Sequence, residues 1–153
     1  YNRRFLMIQV IAAAIGAVGF SIVFGIRHRY IWVIALNAGL SWTLYLICCM
    51  WMNDFWSNLL TAAFCSMFAA VAARFTEVPA VVMQMPATVP MIPGGSLYYT
   101  MYYAMEGNRE LFASYFQATF RTIFAMAIGF ALTEVILKQY GGRLTEAVAK
   151  IKK

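Results

Sequence analysis

Pro86, Pro90, Pro93, Gly94 and Gly95 crowd into residues 86–95, inside a run that carries no charge from 78 to 105. The chemistry open to such a cluster is recognition by the main chain. Proline lacks an N–H and clashes with the preceding turn, so a helix cannot run smoothly through the segment. Glycine lets a ligand approach the backbone closely. After Pro93, the amides of Gly94, Gly95, Ser96 and Leu97 begin a new helix. Its first-turn donors lack intrahelical partners and sit at the positive end of the helix dipole, which suits a carboxylate. Ser96 can cap this helix or touch the ligand. Carbonyls near Gln84 and Met85, at the end of the preceding half-helix, suit an ammonium or a hydroxyl. A small amino acid has this polarity. The plainer reading is a kink that only shapes packing. Three prolines with two glycines exceed what a kink needs, which weighs toward a site.

Two ionisable residues lie inside a later apolar run, Arg121 and Glu134. A cation at membrane depth costs at least ~2.5 kcal/mol on insertion scales, so Arg121 is expected to face the interior and meet an anionic or carbonyl partner. Glu134 is thirteen residues further on, nearly 20 Å of helical rise, and cannot be that partner. A substrate carboxylate, a carboxylate of another chain and the carbonyls of the broken segment remain, with pathway contact and structural pairing standing level. Glu134 is four residues before Lys138. It reads as a carboxylate snorkelling to the interface or, more sharply, as a proton-coupling group. Tyr98 and Tyr102 share one helical face after the break, and Tyr99 and Tyr103 the next. One face can line a pathway, with packing as the default.

Other chemistry is thin. Cys48, Cys49 and Cys65 all lie in apolar runs and read as small buried hydrophobes. The lone histidine, His28, has no companions for a metal site. No cofactor is expected, and no Ser–His, paired-Asp or zinc-binding constellation points to an enzyme. A net charge of +6 does not make a nucleic-acid binder, because no soluble basic face exists to track phosphates.

The elements that position these residues follow from hydropathy. The chain is 63% hydrophobic and 12% charged, against roughly 25% charged in soluble domains. Residues 5–26, 30–53, 55–73 and 78–105 carry no charge, and 111–137 carries only Arg121 and Glu134. Each exceeds the roughly 18 residues of a spanning candidate. The predicted fold is an all-α integral membrane bundle over 1–137, with five transmembrane segments. The fourth is interrupted at the proline/glycine break. Its halves, 78–85 and 96–106, give about 12 Å and about 16 Å of helix, so the ten-residue break falls near mid-depth of a roughly 30 Å core. Residues 138–153 read as a basic amphipathic helix on the cytoplasmic surface, with docking to a partner as the other reading. The chain opens on Tyr1 rather than Met, which leaves room for preceding residues. Residues 5–26 are too long for a typical signal peptide core and lack a clear cleavage site, so they read as a span.

Loop charge orients the bundle. With five crossings, Arg27, Arg29, Arg74, Lys138, Arg143, Lys150, Lys152 and Lys153 share one side, against Arg3, Arg4 and Arg109 on the other. That places the tail in the cytoplasm. A re-entrant fourth segment also leaves the tail inside, on a weaker bias. Small residues recur at four-residue spacing at Ala12 and Gly16; Ala35, Gly39 and Thr43; Ala62, Ser66 and Ala70; and Ala125, Gly129 and Thr133. Such stripes let helices approach closely. Asn37, Ser41, Thr43, Gln84, Gln117 and Thr119 are expected to hydrogen-bond between helices more than to bind ligands.

Val89 to Met101, V-P-M-I-P-G-G-S-L-Y-Y-T-M, resembles the proline/glycine signature of the threonine/serine exporter family. Pro79 about ten residues earlier fits the same pattern, as does A-M-A-I-G at 125–129. The resemblance covers essentially the whole chain and is greatest to the family's small five-segment subunit. It implies a secondary exporter of small amino acids or short dicarboxylates in the bacterial inner membrane, driven by the proton-motive force. It also implies a larger partner subunit with a soluble domain, which this sequence lacks; the chain's 153 residues are few for a transporter, which points to a partner or a higher oligomer. Pro90, Pro93 and Gly94 carry over as motif positions; Arg121 and Glu134 match no family hallmark and rest on the physical argument. A non-transporting scaffold subunit is the competing class.

Overall fold

In the computed structural model the described backbone covers residues 3–76 and 78–151, and the side-chain surroundings cover 4–76 and 78–140. The described residues are helical apart from short connections. Helix α1 is Arg3–Val23, α2 is His28–Trp51 and α3 is Asp54–Thr76. The chain then forms the short α4, Ala80–Thr88, a 3₁₀ turn at Val89–Met91, α5 at Gly94–Glu106 and the long α6, Arg109–Ile151.

Turn chemistry sets the first and last connections. Gly25 (φ 67°) ends α1 in the left-handed region. Ile26 N–H donates to Ser21 O and Gly25 N–H to Ile22 O, each at 3.0 Å, the paired bonds of a Schellman motif. Gly107 (φ 78°) ends α5 in the same conformation. Asn108 then caps α6, its Oδ1 accepting from Leu111 N–H at 3.2 Å. Asp54 in the first turn of α3 and Arg74 in its last both complement the helix dipole.

Among the described residues four helical stretches are long and apolar enough to cross a membrane: Arg4–Val23, His28–Trp51, Asp54–Thr76 and Arg109–Tyr140. The expected fourth segment is divided. Helices α4 and α5 have nine and thirteen residues, about 14 Å and about 20 Å, and neither crosses alone. The interruption is also shorter than the ten residues expected from composition. Pro86 lies inside α4, where it removes one hydrogen bond without ending the helix. The 3₁₀ turn continues to Met91, and only Ile92 and Pro93 are non-helical before α5 begins at Gly94.

The core gathers Ala17, Ile34, Ala38, Ala62, Cys65, Ala69, Met83, Ala87, Met91 and Met126. It therefore draws on α1, α2, α3, α4, the 3₁₀ turn and α6. The broken segment sits at the centre of the bundle, with Met83 and Ala87 each 1% exposed. Helix α3 packs on α2, α4 and α6, whereas α5 packs on α6. Three of the interhelical polar residues do what was expected of them. Asn37 Nδ2 donates to Cys65 O at 3.1 Å, Ser66 Oγ to Gln84 Oε1 at 3.3 Å, and Thr100 and Thr119 hydroxyls meet at 3.4 Å. Ser41 and Thr43 bond within α2 instead, and Gln117 is exposed.

Helix α6 continues without interruption through Gly141 and Gly142 to Ile151. The tail from 138 thus begins inside α6 rather than as a separate helix. The apolar face read into it, at Leu144, Ala147, Val148 and Ile151, falls outside the described side chains, and Lys152 and Lys153 lie outside the described residues altogether.

Candidate functional site

The break is built from tight local turns. Ile92 N–H donates to Val89 O at 3.1 Å, Gly94 N–H to Ile92 O at 2.7 Å and Leu97 N–H to Pro93 O at 3.0 Å. The Ser96 hydroxyl donates to Pro93 O at 3.1 Å. Two of the four amides proposed to greet a carboxylate, those of Gly94 and Leu97, are therefore already engaged by main chain. Gly94 and Gly95 are exposed, and a Cβ at either meets nothing within 4 Å. The start of α5 faces away from the core.

The prolines behave differently. Pro90, Met91, Ile92 and Pro93 line a cavity of about 160 Å³. Trp42 and Tyr45 of α2, Asn58 of α3 and Thr122 of α6 close it from the other side. Asn58 is held by donation of its amide N–H to Asp54 O at 2.7 Å and is 5% exposed. Indole, phenol, amide and hydroxyl give this wall donors and acceptors without a charged side chain. A second cavity, about 370 Å³, lies on the α1 side of the break, with Gln9, Ala12, Gly16, Trp42 and Pro90 among its walls. Trp42 and Pro90 belong to both.

The remaining candidate residues are dispersed. Gln84 is taken up by its bridge from Ser66. Tyr98 is 64% exposed and stacks on Tyr102 at 6.5 Å. Tyr99 and Tyr103 pack on Tyr115 of α6 at 5.2 Å and 5.5 Å, so that face belongs to the α5–α6 contact. Arg121 and Glu134 are both exposed on α6. Within this chain Arg121 does not face the interior; an interior position requires another molecule against α6. Beside it, Phe112, Phe116, Phe120 and Phe124 stack in sequence with centroids 5.7, 6.1 and 5.9 Å apart.

Sequence reasoning passed over Gln9, Trp42, Tyr45, Asn58 and Thr122. The available signal was a polar atom within an apolar run, shared with many residues that only bridge helices. Trp42 lies mid-helix, fifteen positions into α2, His28–Trp51.

A family model described as threonine/serine exporter, ThrE, matches residues 9–136. The chain belongs to the threonine/serine exporter family. The match takes in α1 through most of α6, and so includes both cavities and the break between them. No curated protein and no solved structure matches in the same comparisons. Membership makes the chain a membrane protein of a transporter family, in keeping with helices suited to crossing a bilayer.

Proposed function

We propose that this chain is the membrane subunit of a secondary exporter of threonine and serine, with its substrate site in the cavity at the Pro90–Pro93 break. The observation that carries the reading is where that cavity sits. The interrupted segment is surrounded by α2, α3 and α6, and its neighbours there are Tyr45, Asn58 and Thr122. Irregular backbone at membrane depth is tolerated where protein buries it or it lines a cavity, and broken helices of this kind mark transport sites. Neutral donors and acceptors hold a zwitterion firmly enough to select it and loosely enough to let it leave.

In this reading α4, the 3₁₀ turn and α5 together make the fourth of five crossings. Their combined helical length, about 33 Å before the turn is counted, matches a roughly 30 Å hydrocarbon core. The basic tail then lies in the cytoplasm of a bacterial cell. A continuous α6 of 43 residues is about 64 Å long, so its end projects well beyond the bilayer.

A larger subunit covers α6. Arg121 is exposed beside a phenylalanine ladder in which Phe120 is 59% exposed. Lipid does not accept a bare guanidinium at that depth without a cost of at least ~2.5 kcal/mol. A second copy inserted the same way holds its Glu134 about 20 Å away in depth. A different chain, with a carboxylate at the level of Arg121, satisfies the charge. The proton-motive force drives export, with Glu134 as its coupling carboxylate.

Co-purification with the products of neighbouring genes, followed by efflux of preloaded radiolabelled L-threonine from membrane vesicles, tests this. Efflux several-fold above vesicles lacking the chain is expected, and Asn58→Ala lowers it about tenfold with assembly intact. Glu134→Gln is expected to abolish the response of efflux to an imposed pH gradient. Unchanged efflux on removal of the chain defeats the reading; efflux of succinate in place of threonine moves the substrate to short dicarboxylates.

A further inference from the structure

Two buried polar side-chain atoms among the described residues have no hydrogen-bond partner, Gln9 Oε1 and Trp42 Nε1. Both belong to walls of the same 370 Å³ cavity, on the α1 side of the break. A buried group left without its hydrogen bond is destabilising, so two such groups on one cavity are a standing demand for a partner. One atom is an acceptor and the other a donor that cannot accept. Their positions are the more telling because Trp42 also lines the inner cavity at the break, as does Pro90. The indole is thus a shared wall between the two spaces. No hydrogen bond from its N–H fixes the ring where it stands. Its ring neighbour is Tyr45, 5.4 Å away between centroids, and Tyr45 lines the inner cavity. Gly16 lines the outer cavity beside Pro90, where a Cβ would come within 3.9 Å of Pro90 Cγ.

We infer that Gln9 and Trp42 form a second ligand subsite, outside the cavity at the break, for a small molecule that carries a cation and a carboxylate. It rests on the amino-acid reading above and extends it to residues that reading does not use. Both polar atoms are covered in the structure. A turn of the indole about its side-chain torsions uncovers Nε1 and joins the outer cavity to the inner one. The freed N–H donates to the carboxylate, and the Gln9 oxygen accepts from the ammonium. The amino acid supplies both missing partners while it passes, and the ring closes behind it.

The test is transport of radiolabelled L-threonine in membrane vesicles from cells that express the full chain with its natural partners. The variants Trp42→Phe and Gln9→Met keep size and apolar contact and remove one polar group each. Immunoblots confirm equal amounts in the membrane. Each variant is expected to raise the half-saturating threonine concentration about tenfold, the equivalent of one hydrogen bond to a charged group. Competition separates the two roles. Trp42→Phe loses inhibition by 3-hydroxybutyrate, which keeps the carboxylate, and retains inhibition by 1-amino-2-propanol, which keeps the amine. Gln9→Met shows the reverse. A merely structural role moves both competitors together, and that result overturns the inference, as does unchanged half-saturation in both variants. If the unsubstituted chain moves no threonine, the amino-acid reading fails and this inference with it; if it moves threonine and the variants match it, the subsite alone fails.

Discussion

Two small-residue stripes meet different fates in this molecule. On the α3–α6 seam, Gly129 and Thr133 of α6 meet Ala62 and Ala63 of α3, and Ala62, Gly129 and Thr133 are buried, while Ser66 of the same α3 stripe turns to Gln84 of α4. The helices come so close that a Cβ on Gly129 stands 2.5 Å from Leu59 O and 3.0 Å from Ala62 Cβ. The Thr133 hydroxyl lies 3.1 Å from Ala63 O and 3.0 Å from Gly129 O, so its proton has a partner across the seam or along its own helix. On α1, Ala12 and Gly16 have the same spacing, yet they line a 370 Å³ cavity. The polar residues of that region, Gln9 and Trp42, lack partners. Small residues permit close approach; they do not compel it. Whether the gap closes depends on the opposing surface. Against α6 that surface is the smooth stripe of α3. Against α1 it is the ring of Pro90 on a 3₁₀ turn, which is rigid and cannot interdigitate.

The contrast can be broken at either end. The largest effect is expected at Gly129. Gly129→Leu drives side-chain carbon into the α3 main chain, and overpacking against rigid backbone costs about 3 kcal/mol or more. The yield of folded protein in mild detergent should fall at least tenfold; a normal yield and melting temperature would show that the seam is looser than the distances imply. Gly16→Leu comes next. Its Cβ makes an ordinary contact with Pro90 Cγ at 3.9 Å and the carbons beyond it enter the outer cavity, so melting temperature should change little while threonine efflux falls about tenfold. A fall in both would make the cleft another structural seam. Thr133→Val keeps the shape and loses a shared hydrogen bond, for a loss of about 1 kcal/mol in reversible detergent unfolding. Smallest is Ser66→Ala, which breaks the bridge to Gln84 at 3.3 Å. With a long bond and a partner able to re-pair, about 0.5 kcal/mol is expected.

Much of the architecture was legible along the chain. Uncharged runs bounded by charged residues marked the limits of α1, α2 and α3, because hydrocarbon length and charge exclusion act on each helix separately. The seam was legible too: Ala125, Gly129 and Thr133 were marked as a packing stripe and are all buried. Pro90 and Pro93 were marked as a site and line a cavity. The glycines beside them were misjudged in one respect. Composition shows that Gly94 and Gly95 permit close approach of a ligand, but the turn at Pro93 directs them away from the core. Arg121 was expected inside because charge and depth are readable. Its side of α6 was not, since a helix with phenylalanines all along one face looks equally apt for core or for a subunit contact.

By itself the sequence determined that the chain is helical and apolar enough to enter a bilayer, that helical hydrogen bonding is disturbed near Pro90 and Pro93, and which small residues permit another helix to come close. These are local consequences of hydropathy, of proline's missing N–H and of glycine's missing side chain. Only the tertiary structure decided that Gln9, Trp42, Tyr45, Asn58 and Thr122, from four different helices, surround the interruption. That convergence depends on the relative rotation and depth of helices, which many weak contacts set together and no single stretch of chain encodes.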